Sequence, residues 1–424
     1  MKEFYLKPKI FESLRGYTSK QFANDIVAGV IVAIIALPLS IALALASGVE
    51  PACGVYTAIF AGFAVALLGG STVQIAGPTA AFATVVAGIV ATDGMNGLII
   101  SALLAGIMLI IMGVCKLGVL IKFIPKTITI GFTSGIAVTI LVGQIKDFLG
   151  LTYQNGIRPI ETIEKIEANI GAIGTFSWQS LLVGAVSLAI LIFYPKIEKK
   201  IPPSLIAVIV GALMVKFLPV LDGGVFTIGE LYTIPSGFPK LQVSGLEITG
   251  NAVLSSLPNA VTIAVLAGIE SLLSCVVADG MVGEKHNSNA ELTAQGVGNI
   301  LSVLFGGIPA TGAIARTAAN IKNGGRTGIA GMVHSVVLLL VLLVLMPLAA
   351  LIPMPTIAAI LFVVAYNMSE WRKFLNVVKT DTKRDILILV VTFLLTVIFD
   401  LVVAIAVGMV LAILLRRIKT KDGE

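Results

Sequence analysis

Two stretches of the sequence, QIAGPTAAFAT at Gln74–Thr84 and GGIPATGAIARTAAN at Gly306–Asn320, decide the fold. Each joins glycine and proline to a threonine and then to mostly small residues, and each interrupts an otherwise apolar part of the chain. Pro78 and Pro309 are 231 positions apart, so the stretches take corresponding places in two halves of the chain. Apolar segments broken at matching places are typical of membrane transporters built from two repeats, and they mark the binding site.

A threonine follows each proline closely, and threonine is favoured at helix N-termini, so Thr79 and Thr311 are each predicted to open a short helix after an extended segment. Extended backbone at membrane depth is tolerated only where protein or a water-filled cavity satisfies it. Two helix starts that face each other supply free N–H groups and two positive dipole ends, which favour an anion. The predicted substrate-binding residues are Thr79, Ala80, Ala81, Gly312, Ala313, Ile314, Ala315 and Arg316.

Small residues also allow membrane helices to pack closely, and that interpretation is the better one for either stretch alone. The occurrence of matching stretches in both halves of the chain favours a binding site. Arg316 has two open interpretations, since it either adds positive potential to the site or ties its helix to a carboxylate or a backbone carbonyl.

The composition is that of a membrane protein. It is 57% hydrophobic and 12% charged, with a mean hydropathy of +1.03, against roughly 45–50% apolar and about 25% charged usage in soluble domains. Segments near 20 apolar residues can cross ~30 Å of hydrocarbon as helices. They are predicted at roughly 24–46, 52–69, 97–114, 127–149, 179–195, 203–220, 254–278, 328–351, 383–399 and 400–416, with shorter ones at about 78–91, 290–306, 311–322 and 355–368.

The positive charges predict the topology. With the N-terminus inside and all fourteen segments crossing or partly crossing, 23 of the 29 Lys and Arg residues fall on cytoplasmic segments, as the positive-inside rule expects. They indicate topology and not a nucleic-acid partner. We predict a multi-pass protein of the cell (inner or plasma) membrane with both termini cytoplasmic. Its parts are a tail at 1–21, a transmembrane domain at 22–417 (repeats at about 22–220 and 245–417) and a tail at 418–424.

The polar stretch 151–178 is predicted to lie outside the membrane. Glu161, Glu164 and Glu167 fall on one helical face there, which favours a solvated surface helix.

Glu270 lies deep in the apolar segment Ala267–Ala278. A carboxylate at membrane depth is costly unless it is paired, protonated or faces a cavity, so its default interpretation is functional. Burial favours the protonated form, so Glu270 could exchange a proton near neutral pH. Ser271 and Ser274 add polar groups on or near its face. The alternative is a structural carboxylate bonded to a neighbouring helix.

The remaining polar residues predict no further chemistry. Cys53, Cys115 and Cys275 have no metal-ligand spacing, and His286 and His334 are 48 positions apart, so neither a metal, a cofactor nor an enzyme site is expected. Most polar residues at span ends are interpreted as interface anchors. These are Asp279, Lys285, Glu291, Asn320, Lys322 and Arg326.

From Phe22 to Arg417 the sequence resembles the sulfate permease family (SulP, solute carrier family 26). The motifs that carry the resemblance are Asn24–Gly29 with Ala36–Leu39, Ala76–Ala81, Gly131–Gly135, Glu270–Leu273, His286–Asn299 and Pro309–Asn320.

The resemblance implies fourteen spans in two inverted seven-span repeats, divided into a moving core domain and a static gate domain, with elevator-like transport. In the family the anion lies between the starts of the third and tenth helices, here Thr79–Ala81 and Gly312–Arg316. Some relatives carry an acidic residue tied to proton coupling at the place of Glu270. Sodium-coupled bicarbonate relatives carry Asp with Thr, whereas here Glu270 is expected to pair with Ser274, and Ile314 replaces a hydroxyl, so proton coupling is predicted.

Substrate and assembly are open at this stage. The resemblance implies either a sulfate-type inorganic anion or a four-carbon dicarboxylate, and the alternatives are an uncoupled exchanger or channel and a sodium-coupled bicarbonate transporter. Relatives commonly form homodimers and continue into a cytoplasmic STAS domain. This sequence ends at Glu424, so the domain was either removed or is dispensable, and the regulation and partner binding it provides are in doubt.

Overall fold

The computed structural model describes residues 6–119, 125–153, 159–198, 201–221, 223–234, 237–242, 248–399 and 401–419. This part of the chain is mostly helical, as predicted for an all-α membrane protein. Within it, seven helices are long and apolar enough to cross a membrane, by length and composition alone. The count of fourteen spans, their orientation and their arrangement in inverted repeats stay predictions.

The helices agree closely with the predicted segments. In chain order they are α1 (Ile10–Ser13), α2 (Ser19–Ala46), α3 (Pro51–Leu68), α4 (Ala80–Val114), α5 (Lys126–Leu149), α6 (Thr162–Gly171), α7 (Trp178–Ile197), α8 (Pro203–Phe217), α9 (Ile228–Leu231), α10 (Gly250–Val282), α11 (Ser288–Leu304), α12 (Ile314–Lys322), α13 (Gly328–Leu345), α14 (Met354–Met368), α15 (Trp371–Thr380), α16 (Lys383–Ile398) and α17 (Leu401–Lys419). α15 was not predicted, because it is short and polar. α4 joins two predicted segments across a break at Gly94, whose φ of 68° and ψ of −173° are not helical.

The chain divides into two compact units. Unit 1 comprises Met1–Ile121, Pro195–Ile209 and Thr227–Ile352, and unit 2 comprises Lys122–Tyr194, Val210–Phe226 and Pro353–Glu424. Each unit therefore draws on both halves of the chain.

Unit 1 is held together by closely packed helices. α4 packs against α10 and α11, α3 packs against α11 and α13, and α2 packs against α13. A Cβ on Gly296 would lie 2.4 Å from the Gly106 carbonyl oxygen, and one on Gly29 would lie 2.5 Å from the Ala330 carbonyl oxygen. Small residues thus allow these backbones to approach, as in other membrane helix pairs.

The described part of the N-terminal tail, predicted at 1–21, belongs to unit 1. Lys9 N–H donates to the Gly69 carbonyl at 3.0 Å. The Tyr17 hydroxyl donates to the buried Asp25 carboxylate at 2.7 Å, and Asp25 also accepts the Thr327 hydroxyl at 2.6 Å. This segment is therefore fastened to α2 and to the start of α13.

A two-stranded antiparallel ladder lies at the centre of unit 1. Strand β1 (Ala76–Gly77) pairs with strand β2 (Thr311–Gly312), with Ala76 opposite Gly312 and Gly77 opposite Thr311. The Ala313 N–H donates to the Ile75 carbonyl at 2.8 Å and lengthens the ladder. The two extended segments predicted from the matching stretches are therefore present, and they satisfy each other's backbone.

The helix starts after the strands differ from the prediction in one half. α4 begins at Ala80, directly after Thr79, as expected. α12 begins only at Ile314, so the prediction that Thr311 opens a helix is wrong. Thr311 is held in β2 by its ladder partner Gly77, which delays the helix by three residues.

Unit 2 is built around α5, which packs against α14 and α16, while α16 also packs against α17. A smaller cluster of Val183, Leu221 and Val225 closes another part of its core. The acidic residues of 151–178 lie on α6 and are exposed, as predicted, but the face that α6 turns to the protein is polar.

Candidate functional site

One carboxylate oxygen is hydrogen-bonded to both of the matching stretches. Glu270, in α10, accepts the Thr79 hydroxyl at 2.9 Å and the Thr311 hydroxyl at 3.0 Å, both on Oε2. The two threonine oxygens are themselves 3.3 Å apart. Thr311 is fully buried, whereas Thr79 and Glu270 are partly accessible. Glu270 thus has the bonds to neighbouring elements that the structural alternative predicted. These bonds place Glu270 where both strands end.

Neither helix that follows the strands is capped by a side chain. Thr79 occupies the N-cap position of α4, but its hydroxyl is engaged by Glu270 and makes no capping bond. Ala313, the N-cap of α12, has no side-chain acceptor. The first N–H groups of an α-helix have no intrahelical partner, so both helix starts keep donors and a positive dipole end for an anion. Elsewhere threonines do cap helices, as at Thr18, Thr249, Thr327 and Thr382.

The two helix starts differ in access. Ala80 and Ala81 are buried at the start of α4. At the start of α12, Ile314 is 45% exposed and Ala315 is also exposed. The strand pair therefore brings the two groups of predicted binding residues together, and the more accessible of the two helix starts is that of α12.

Two of the predicted donors are already used. The Gly312 N–H donates to the Ser271 hydroxyl at 3.0 Å, and the Ala313 N–H belongs to the strand ladder. In this arrangement the backbone N–H groups left for a ligand at α12 belong to Ile314, Ala315 and Arg316.

Arg316 ties the two stretches together. Its side chain is 2% exposed, and its Nη2 donates to the Pro78 carbonyl oxygen. The guanidinium lies against Gly77, where a Cβ would come 2.5 Å from Nη1. Among the described residues, Nε and Nη1 have no hydrogen-bond partner. The bond to a backbone carbonyl, one of the two interpretations of Arg316, is thus present, and two of the three guanidinium nitrogens have no partner among the described residues.

A network of buried polar side chains holds in place the residues that flank the two strands. Gln74 accepts the Ser274 hydroxyl at 2.8 Å and donates to the Ser271 carbonyl at 3.0 Å and to Glu291 Oε1 at 3.3 Å. Ser274 therefore bonds to Gln74, and the expected pairing of Ser274 with Glu270 is wrong. Gln74 lies 200 positions from Ser274, so no local spacing indicated this partner.

Glu291 anchors the far end of this network. Its carboxylate accepts the Gly70 N–H at 2.9 Å and the Gln295 amide at 3.0 Å, besides Gln74. Glu291 and Asn320 are both 0% exposed, so their interpretation as interface anchors is wrong. The Asn320 amide instead donates to the Val73 carbonyl at 2.9 Å, next to β1.

His286 bonds to one residue before it and one residue after it in the sequence. His286 Nδ1 lies 2.7 Å from an Asp279 oxygen, and its Nε2 lies 2.9 Å from the Ser288 hydroxyl. These bonds join the end of α10 to the first residue of α11. They therefore stabilise the turn between the two helices.

Comparison with known proteins identifies the chain. The model of the sulfate permease family matches residues 22–392. The chain belongs to the sulfate permease family. Its resemblance to that family is thereby confirmed, and the protein is a transporter and not an enzyme.

Relatives match almost the whole chain. The Bacillus subtilis protein named "Putative sulfate transporter YvdB" is 44% identical over 94% of this chain and 74% of its own length. The bicarbonate transporter BicA of Picosynechococcus sp. is 35% identical over 93% of this chain and 70% of its own length.

Solved structures agree with the fold. The transmembrane domain of a cyanobacterial bicarbonate transporter BicA matches with a TM-score of 0.80 and 31% identity, over 92% of this chain and 98% of that one. The murine Solute Carrier 26 family member A9 anion transporter, in its inward-facing state, matches with a TM-score of 0.88 over 99% of this chain and 72% of that one. At 19% identity this second match supports the fold alone.

Proposed function

We propose that this protein carries a small anion across the membrane by proton-coupled symport, with sulfate as the leading substrate. Anion transport is the coarser part of this proposal, and the names of the relatives support it. The observation that carries the finer part is the single Glu270 oxygen that accepts the Thr79 and Thr311 hydroxyls, between two uncapped helix starts.

Electrostatics would couple the proton to the anion. An ionised Glu270 places a negative charge next to the N–H groups that are to hold the substrate, and like charges in a site of low dielectric repel each other strongly. A proton on Glu270 removes that charge. Substrate and proton would then bind together, and each would favour the other by the same factor.

An elevator-like movement is consistent with the location of the site. Glu270, Thr79, Thr311 and Arg316 all belong to unit 1. A single compact unit could therefore carry the whole binding site as one body, as the moving part of an elevator must.

Bicarbonate coupled to sodium is the second candidate, and the 35% identity to the bicarbonate transporter BicA favours bicarbonate as its substrate. Three oxygens, those of Thr79, Thr311 and Glu270, lie within 3.3 Å of one another. The two hydroxyls donate directly to the carboxylate, however, and a sodium ion there would have to replace those bonds, so proton coupling is preferred. A four-carbon dicarboxylate remains the third substrate to test.

Uptake by proteoliposomes tests the proposal. Labelled sulfate, bicarbonate and succinate are each offered under an inward proton gradient, an inward sodium gradient and no gradient. We expect sulfate to accumulate only with the proton gradient. Glu270→Gln should abolish accumulation, because a carboxamide cannot exchange the proton.

The control for this substitution is Glu167→Gln, which makes the same change on the exposed surface of α6. It should retain wild-type uptake. Accumulation of sulfate without a proton gradient, or equal accumulation in wild type and Glu270→Gln, would exclude proton symport. Accumulation of bicarbonate driven by sodium would establish the second candidate instead.

A further inference from the structure

Helix α6 buries polar residues and exposes apolar ones. Thr162 and Asn169 are only 4% and 6% exposed, whereas Ile166 and Ile170 are 42% and 67% exposed. Ile163 is also exposed, and the three isoleucines share one helical face at the spacing i, i+3, i+7. A helix on the surface of a soluble protein has the opposite arrangement.

Hydrogen bonds fix this orientation. The Thr162 hydroxyl donates to the Thr139 hydroxyl of α5 at 3.3 Å, and the Asn169 amide donates to the Val142 carbonyl of α5 at 3.2 Å. The Tyr153 hydroxyl donates to Asn169 Oδ1 at 2.9 Å. α6 therefore cannot rotate to bury its isoleucines without breaking a buried set of polar contacts.

The third face of α6 is acidic. Glu161, Glu164 and Glu167 are exposed, and Glu161 and Glu164 form a capping box at the helix start. At 100° per residue Glu164 and Glu167 lie on average roughly 100° around the helix from the isoleucines, and Glu161 is the N-cap residue just before the helix. The helix thus packs one side against the protein and exposes one apolar side and one charged side.

The apolar face continues beyond the helix. Ile173, Phe176 and Trp178 are exposed in sequence after α6, and Leu182 is exposed on the first turns of α7. α7 is long and apolar enough to span the membrane, so the face continues onto a surface that contacts lipid. A tryptophan at the start of a span is typical of the level of the lipid headgroups.

We propose that α6 is an interfacial helix that binds the lipid bilayer. Its isoleucine face enters the boundary between headgroups and acyl chains, and its glutamates face water, on the side of the membrane toward which the C-terminal half of α5 runs. At ten residues α6 is too short to span the bilayer, whereas a short helix with separate apolar and charged faces suits the interface. The helix would hold unit 2 at a fixed depth in that leaflet.

Spin labels at matched positions test this proposal in full-length protein reconstituted into liposomes. Ile166→Cys and Ile170→Cys report the isoleucine face, and Glu167→Cys and Glu161→Cys report the acidic face, each with Cys53, Cys115 and Cys275 replaced by serine. We expect the labels at 166 and 170 to collide mainly with lipid-soluble oxygen. The labels at 167 and 161 should collide mainly with a water-soluble nickel chelate.

Two results would overturn the proposal. Equal access of the nickel chelate to both faces means that α6 is simply solvated. Protection of 166 and 170 from both reagents means that protein covers the face, for example a second copy of this chain. Two sites on each face keep the comparison valid if one variant fails to fold.

Discussion

At the scale of single residues, Glu270 binds two hydroxyls on one oxygen, and those hydroxyls come from the two halves of the chain. A hydrogen bond between neutral groups in a protein contributes about 0.5–1.5 kcal/mol. The two threonines therefore position the carboxylate and also connect it to both helix starts. Loss of either threonine would alter the surroundings of Glu270 without removing the carboxylate to which we assign the proton.

Thr311→Val should lower proton-driven uptake by up to about tenfold, because it removes one of the two hydrogen bonds that position Glu270 and keeps the shape of the side chain. The measurement is the initial rate of uptake into proteoliposomes. Thr133→Val is the control, since within the described part of the chain the Thr133 hydroxyl bonds to backbone carbonyls of its own helix α5 alone. Equal loss in both variants would point to a general effect on folding.

Glu291→Gln should lower the free energy of unfolding by about 1–3 kcal/mol, the usual cost of leaving a buried polar group unsatisfied. Three donors meet the two oxygens of Glu291, and a carboxamide turns one acceptor into a fourth donor. The unfolding midpoint in detergent measures this effect. Glu284→Gln, at an exposed carboxylate that accepts only the Thr72 hydroxyl among the described contacts, should shift the midpoint little.

At the scale of elements, the strand pair depends on Gly77. Its φ is 155°, and the Arg316 guanidinium occupies the place of a Cβ. Any other residue here would be strained and would also displace Arg316 from the Pro78 carbonyl. Glycine is therefore required at position 77 both by the backbone conformation and by the packing of Arg316.

Gly77→Ala should cost about 1–3 kcal/mol of stability and most of the uptake, since backbone strain and the loss of the Arg316 contact act together. Gly88→Ala is the matched control within α4, where a Cβ meets nothing within 4 Å. It should be neutral or stabilise by about 0.5–1 kcal/mol, because alanine favours the helix. Thermal unfolding and the rate of uptake are measured for both variants. Wild-type stability and uptake in Gly77→Ala would contradict the prediction.

Some of these elements are predictable from the local sequence and others are not. The apolar segments, the two extended stretches and the helix start after Thr79 follow from local patterns of hydropathy, proline and threonine. The late start of α12 does not, because it depends on a ladder partner more than 230 positions away. The place of Ser274 likewise depends on Gln74, and two of the three donors to Glu291, Gly70 and Gln74, lie more than 210 positions before it. Long-range partners of this kind cannot be read from spacing.

At the scale of the whole molecule, each unit draws on separate parts of the chain, and unit 1 also fastens the N-terminal segment through Tyr17. Partial burial and the neighbouring Asp25 raise the pKa of Tyr17 to about 12. The neutral hydroxyl is thus favoured in the folded protein, so its contribution to stability is complete below pH 10 and is lost as the pH rises through about 12.

Tyr17→Phe should therefore lower the free energy of unfolding by about 1 kcal/mol at pH 7 and by the same amount at pH 9. The difference from wild type should shrink above pH 10. Thermal unfolding across this pH range tests the prediction, with the exposed Tyr366→Phe as the control. A difference that grows with pH would contradict it.

The ladder between Ala76–Gly77 and Thr311–Gly312 has a consequence for biosynthesis. Contacts between distant residues form slowly because a long loop must close first. While the ribosome is still making the chain, β1 has no partner until residue 312 has been added, by which time most helices of unit 1 have already left the exit tunnel. The chain therefore enters the membrane before the candidate site can form, and a truncated product that stops before Thr311 lacks the second strand and the second helix start.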